Sequence, residues 1–115
     1  MRLDRLKSFA LAFPGTTVVK QWGEHLVFKV AGKMFLIVGL DGSTVDGLTI
    51  KCDPKDFDDL TDIDGITQAP YCAKRHWVRL EETSVLPEAK LKERIEISYA
   101  LVKAKLPKKV QAGLE

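Results

Sequence analysis

Two cysteines, two histidines and a segregated set of charges are the side chains in this sequence that could do chemistry. Cys52 and Cys72 form no Cys-x-x-Cys pair, and with His25 and His76 they lack the close ligand spacing that a zinc site requires. His76 follows Cys72 by four positions and could approach it across a turn, but no orienting carboxylate or oxyanion donor accompanies the pair. Both cysteines therefore read as reduced, mostly buried thiols of a cytoplasmic protein. Gly32-Lys33-Met34 lacks the hydroxyl that a phosphate-binding P-loop places after its lysine, and Gly39, Gly42 and Gly47 have the spacing of turns. Asp53, Asp56, Asp58, Asp59, Asp62 and Asp64 make an acidic stretch without the alternation of a calcium loop, so it reads as a solvated helix face. No constellation for catalysis emerges, and the expectation is a protein that is not an enzyme and carries no cofactor.

The basic residues are more informative. The run Lys74-Arg75-His76-Trp77-Val78-Arg79 contains no acid, and neither does the run 103–109, which holds four lysines. Lys29 and Lys33 flank Ala31-Gly32, and Lys51 ends an alternating segment. A hairpin tip carrying lysines can grip phosphates. Lys29, Lys33, Lys74, Arg75 and Arg79 are therefore the candidate DNA-contacting residues. The competing reading of the same charges is solubility and the protection of sheet edges. Trp22 and Trp77 could stack on exposed bases, although large aromatic side chains more often belong to a core.

These side chains need a scaffold, and the apolar periodicity supplies one. Leu3, Leu6, Phe9, Ala10 and Phe13 recur at helical spacing over residues 2–12, and Pro14-Gly15 stops that helix. Residues 16–22, 25–30 and 33–38 are rich in β-branched and aromatic types and read as strands. The last two are joined by Ala31-Gly32 as a hairpin. A two-residue turn pairs Val30 with Lys33, Phe28 with Phe35 and Leu26 with Ile37 on one face. On the other face it pairs Lys29 with Met34, Val27 with Leu36 and His25 with Val38. Residues 41–47 are dense in turn formers, 48–52 alternate as a further strand, and Asp53-Pro54 opens a helix that ends near Gly65. Residues 68–75 read as a loop, 76–80 as a strand, and Pro87 and Pro107 bracket a long helix with a short turn after it. Hairpin-length connections imply an antiparallel sheet, and helices must cover at least one of its faces. The expected fold class is α+β, a two-layer sandwich.

Bulk properties bound these readings. The 115 residues form one domain, 1–115, large enough to bury a core unaided. Eighteen basic residues against sixteen acidic ones give a net charge of +2, which excludes a charge-dominated polyanion binder and leaves room for a locally directed one. The longest apolar run, 34–40, is too short to span a membrane as a helix, and the charged start of the chain does not read as a signal peptide.

Several pieces, in order, carry a family likeness: Gly32-Lys33-Met34-Phe35, Leu48 and Lys51 leading to Asp53-Pro54, Pro70-Tyr71, His76-Trp77-Val78, Ser98-Tyr99 with Leu101-Val102, and Lys105-Leu106-Pro107. This string resembles the MmcQ/YjbR family of small bacterial proteins over nearly the whole chain. The resemblance implies a frataxin-like (CyaY-like) sandwich, with Phe35 and Trp77 anchoring the sheet and Tyr99 the long helix. It also implies a DNA-binding role through a double-wing arrangement of hairpins. Frataxin-type iron sites use acids on the first helix, whereas here that helix offers only Asp4. The functional expectation is weak, phosphate-directed DNA binding; the alternative is a module for protein interaction or small-ligand binding, with no membrane partner.

Overall fold

The computed structural model describes residues 1–114. Helix α1 (Leu3–Leu11) leads into strands β1 (Thr16–Gln21), β2 (His25–Val30), β3 (Lys33–Asp41) and β4 (Thr44–Lys51). Helix α2 (Pro54–Thr61), strands β5 (Ile66–Gln68) and β6 (Trp77–Leu80), and helices α3 (Glu88–Ala104) and α4 (Lys108–Gly113) follow. The strands form one sheet in the order β1-β2-β3-β4-β6-β5, and every neighbouring pair is antiparallel. This is the α+β sandwich that the hairpin-length connections require.

One face of the sheet carries the core. Phe28, Val30, Leu36, Val38, Leu48, Ile50, Val78 and Leu80 are almost wholly buried there. They pack in one cluster with Leu6 and Ala10 of α1, Leu60 of α2, and Leu91, Ile95 and Val102 of α3. Tyr99 locks α3 to the start of β1. Its ring stacks on Phe13 at 4.8 Å and meets Phe35 edge-on at 5.3 Å, while its hydroxyl donates to the Pro14 carbonyl at 2.6 Å. Among the described residues, no helix covers the opposite face. Along it Val19, Val27, Ile37, Thr49, Arg79 and Thr67 form one cross-strand row, read directly from the pairing register.

The β2–β3 register departs from a simple two-residue hairpin. Val30–Lys33 and Lys29–Met34 pair as the turn demands, but then Phe28 pairs with Leu36, Val27 with Ile37, Leu26 with Val38 and His25 with Gly39. A β-bulge takes in Phe35 as an extra residue, so the pairings Phe28–Phe35, Leu26–Ile37, Val27–Leu36 and His25–Val38 do not form. The physical gain is that Phe35 and Leu36, adjacent in the chain, both lie in the core. Strict alternation would have turned one of them to the open face.

Residues 44–47 are strand, not turn, and the reversal between β3 and β4 is confined to residues 42–43. Gly39 permits this: a second irregularity lies between Val38 and Leu40, where a Cβ at Gly39 would collide with the Asp46 carbonyl. Residues 66–68 add an edge strand, β5, and Thr83–Val85 form a short 3-10 turn. Trp22 is not strand but follows β1 in a turn at φ +50°, 62% exposed, with His25 edge-on to its ring.

The start of α2 forms as its sequence demands. The Asp53 carboxylate accepts from the Lys55 N–H at 3.0 Å, and Pro54 occupies the first turn. Asp53→Ala is expected to destabilise the fold by about 1 kcal/mol, lowering Tm by about 5 °C in calorimetry; an unchanged Tm would show that the cap contributes nothing.

Candidate functional site

The antiparallel order brings several chain reversals and strand ends to one end of the sheet. Val30 and Lys33 at the β2–β3 tip, Lys51 at the end of β4 and Trp77 at the start of β6 all lie there, as their pairings show. The 69–76 loop between β5 and β6 leaves from the same end. Of the five residues expected to touch phosphates, Lys29, Lys33, Lys74 and Arg75 belong to this end. Arg79 does not: it pairs with Thr49 and Thr67 in the middle of the open face. There its guanidinium lies against Gly47, a glycine at φ +87°, in a small pocket that Glu24, His25 and Asp46 also line.

The four differ in what already holds them. Lys33 and Lys74 are exposed and Lys29 is half-buried. Arg75 sits at φ +66°, its two terminal nitrogens donate to the two Asp58 oxygens at 3.2 Å each, and its guanidinium lies 4.9 Å from the Phe57 ring centre. The hydrogen bonds that Arg75 donates to Asp58, and then the charge of that carboxylate, raise the Arg75 pKa further. This side of the sheet end, where α2 begins with its acids, is electrostatically mixed. The hairpin side is not.

At the hairpin side the two central strands part. The β3–β4 pairing stops at Leu36–Ile50, and beyond it the Ser98 hydroxyl of α3 stands between the strands. Ser98 Oγ accepts from the Lys51 N–H at 2.8 Å and donates to the Phe35 carbonyl at 2.6 Å, fully buried. Between α3, β3, β4 and β6 lies a pocket of about 310 Å³ lined by Lys33, Met34, Lys51, Trp77, Val102, Lys105 and Leu106. Lys51 Nζ lies 5.9 Å from the centre of the Trp77 ring, which is 8% exposed. Burial, and then the neighbouring charge of Lys105, push the Lys51 pKa below the ordinary lysine value. Among the described residues, no carboxylate forms an ion pair with Lys33, Lys51 or Lys105.

Cys52 and Cys72 are free thiols, the first buried and the second half-buried, and burial raises the pKa of both. Each is thus mostly protonated at neutral pH, the less nucleophilic state. Among the described residues no helix is long and apolar enough to cross a membrane.

A model of one protein family, YjbR, matches residues 11–101. The chain belongs to the YjbR family. Among solved structures it is similar to Deinococcus radiodurans protein DR2400, which carries a DUF419 domain. The TM-score is 0.87 at 26% identity, over 98% of this chain and 87% of that one. A protein from Pseudomonas syringae shares the fold at a TM-score of 0.71 and 20% identity, over 88% of this chain and 98% of that one. No curated protein matches the sequence. The YjbR match spans the bulged hairpin, the end of β4, Trp77 and Ser98, and it stops just before Lys105.

Sequence reasoning on this YjbR chain singled out Lys29 and Lys33 but left Lys51 and Lys105 out of the candidate set. The acid-free run 103–109 contained one of them. No local pattern showed that α3 delivers Lys105 beside Lys51.

Proposed function

We propose that this YjbR-family chain is a non-enzymatic DNA-binding protein that grips backbone phosphates with the hairpin side of its sheet end. The observation that carries the reading is the gathering of Lys33, Lys51 and Lys105 around one opening, with no carboxylate among the described residues paired to them and with Lys29 on the adjoining strand. Lys74 extends the same end from the β5–β6 loop, and Arg75 contributes less because Asp58 already occupies its guanidinium. Two reversals at this end, the β2–β3 tip and the 69–76 loop, would give a duplex two points of contact. Phosphate contacts of this kind position the protein and read no sequence.

Fluorescence anisotropy with a short duplex tests the reading. Neutralising three or four phosphates gives a log–log salt slope of about −3, with micromolar or weaker affinity near physiological salt. Lys29→Gln with Lys33→Gln should weaken binding about tenfold and flatten that slope by about 2, whereas Arg75→Gln should change it less than twofold. Binding that ignores the lysine substitutions, or that shows no salt dependence, would overturn it.

A further inference from the structure

We propose that the pocket between the hairpin end and the C-terminus of α3 is a binding site for a small organic phosphate, with the phosphate at the lysine rim and a flat or apolar body against the inner wall. The inference does not rest on the DNA reading, although the two share lysines.

The wall and the rim are chemically distinct. Met34, Trp77, Val102 and Leu106 supply an apolar wall. The volume of about 310 Å³ lies at the lower end of the range in which small-molecule sites fall, and an apolar lining with a few convergent polar groups is their usual composition. A bare inorganic anion would leave that wall unused. Bulk duplex would leave it unused as well, because paired bases cannot enter a pocket of this size without leaving their stack.

The rim carries the charge. Lys33 of β3, Lys51 of β4 and Lys105, which directly follows α3, approach from three separate parts of the chain, so the fold, rather than one flexible run of lysines, sets their spacing. Lys51 and Lys105 face one another with Lys33 and Trp77 as their pocket neighbours, and no acid compensates them among the described residues. Two like charges held together are mutually destabilising until an anion enters between them. Three ammonium groups offer nine N–H donors, which suit the three terminal oxygens and double charge of a phosphate monoester better than a monoanionic carboxylate. The depressed Lys51 pKa is the expected mark of such a poised site in its free form.

Trp77 provides the readout. In a Trp22→Phe background it is the sole tryptophan, since the sequence holds two. Adenosine 5′-monophosphate should give a saturable change in its emission, with Kd at or below about 1 mM. Adenosine should give none, and inorganic phosphate should bind at least about tenfold more weakly, because each probe lacks one half of the recognition. Lys51→Gln with Lys105→Gln should weaken the nucleotide by about tenfold or more, equivalent to about 1.4 kcal/mol. Val102→Phe fills the pocket without altering any charge; where it folds, it should abolish the nucleotide response and leave duplex binding by Lys29 and Lys33 within about twofold. That contrast separates failure of this site from failure of the DNA reading. The inference is overturned by the absence of a saturable Trp77 response up to about 10 mM nucleotide, by equal binding of inorganic phosphate, or by a response that survives the double lysine substitution.

Discussion

Ser98→Ala is expected to lower the free energy of unfolding by about 3 kcal/mol and Tm by about 10–15 °C. Serine in mid-helix normally faces solvent or bonds back along its own helix. Ser98 instead is fully buried, and its hydroxyl joins two strands that no longer pair with each other. Removing that oxygen leaves the Phe35 carbonyl and the Lys51 N–H without their bridge. Each unsatisfied buried group costs about 1–3 kcal/mol. Ser98→Thr keeps the hydroxyl and adds one methyl, so it should lose less, at about 1–2 kcal/mol from crowding alone. Amide exchange gives a local check, since the Lys51 N–H should exchange faster in Ser98→Ala even under conditions where the molecule stays folded. A loss below about 1 kcal/mol, with Lys51 exchange unchanged, would show that the bridge does not hold the strands. The prediction bears on function because the Lys51 backbone is what this bridge fixes, and the Lys51 side chain forms part of the pocket.

The same bridge shows where sequence reading ran short. The long helix between Pro87 and Pro107 was legible from its bracketing prolines, and the Ala31-Gly32 hairpin from two flanking apolar runs. The bulge at Phe35 was not legible, because it arises when two neighbouring residues both have core to fill, and periodicity alone cannot announce that. Residues 44–47 looked like turn because of their Asp and Gly. In the fold, Gly39 is there for close approach of the Asp46 carbonyl and Gly47 for the Arg79 guanidinium, both within paired strands. β5 has three residues, too few to show alternation. For the candidate site, the individual lysines were visible and their relations were not. Asp58 occupies Arg75, and Lys105 reaches Lys51, through contacts between elements far apart in the chain.

That last relation leads to effects of opposite sign. Lys105→Gln is expected to weaken organic-phosphate binding by about tenfold while making the unliganded protein more stable by about 0.5 kcal/mol. Lys105 is exposed, so its repulsion of Lys51 is screened by water and the stability gain is small. In the folded wild type, burial and then Lys105 depress the Lys51 pKa, so the charged form is penalised at neutral pH. The penalty is relieved as pH rises through the lowered folded value toward the ordinary 10.5, because the unfolded chain then holds more protons than the native one. The stability advantage of Lys105→Gln should therefore shrink in the alkaline range. Added phosphate ester should reverse the order at neutral pH. At about 100 times its Kd a ligand adds about 2.7 kcal/mol to the wild type, and at the same concentration it adds only about 1.4 kcal/mol to a variant that binds tenfold more weakly. Thermal melts with and without the ester, at two pH values, would show the crossing. A Lys105→Gln protein that is less stable in plain buffer and binds the ester as well as wild type does would mean that the lysine pair serves packing at the end of α3 and not an anion.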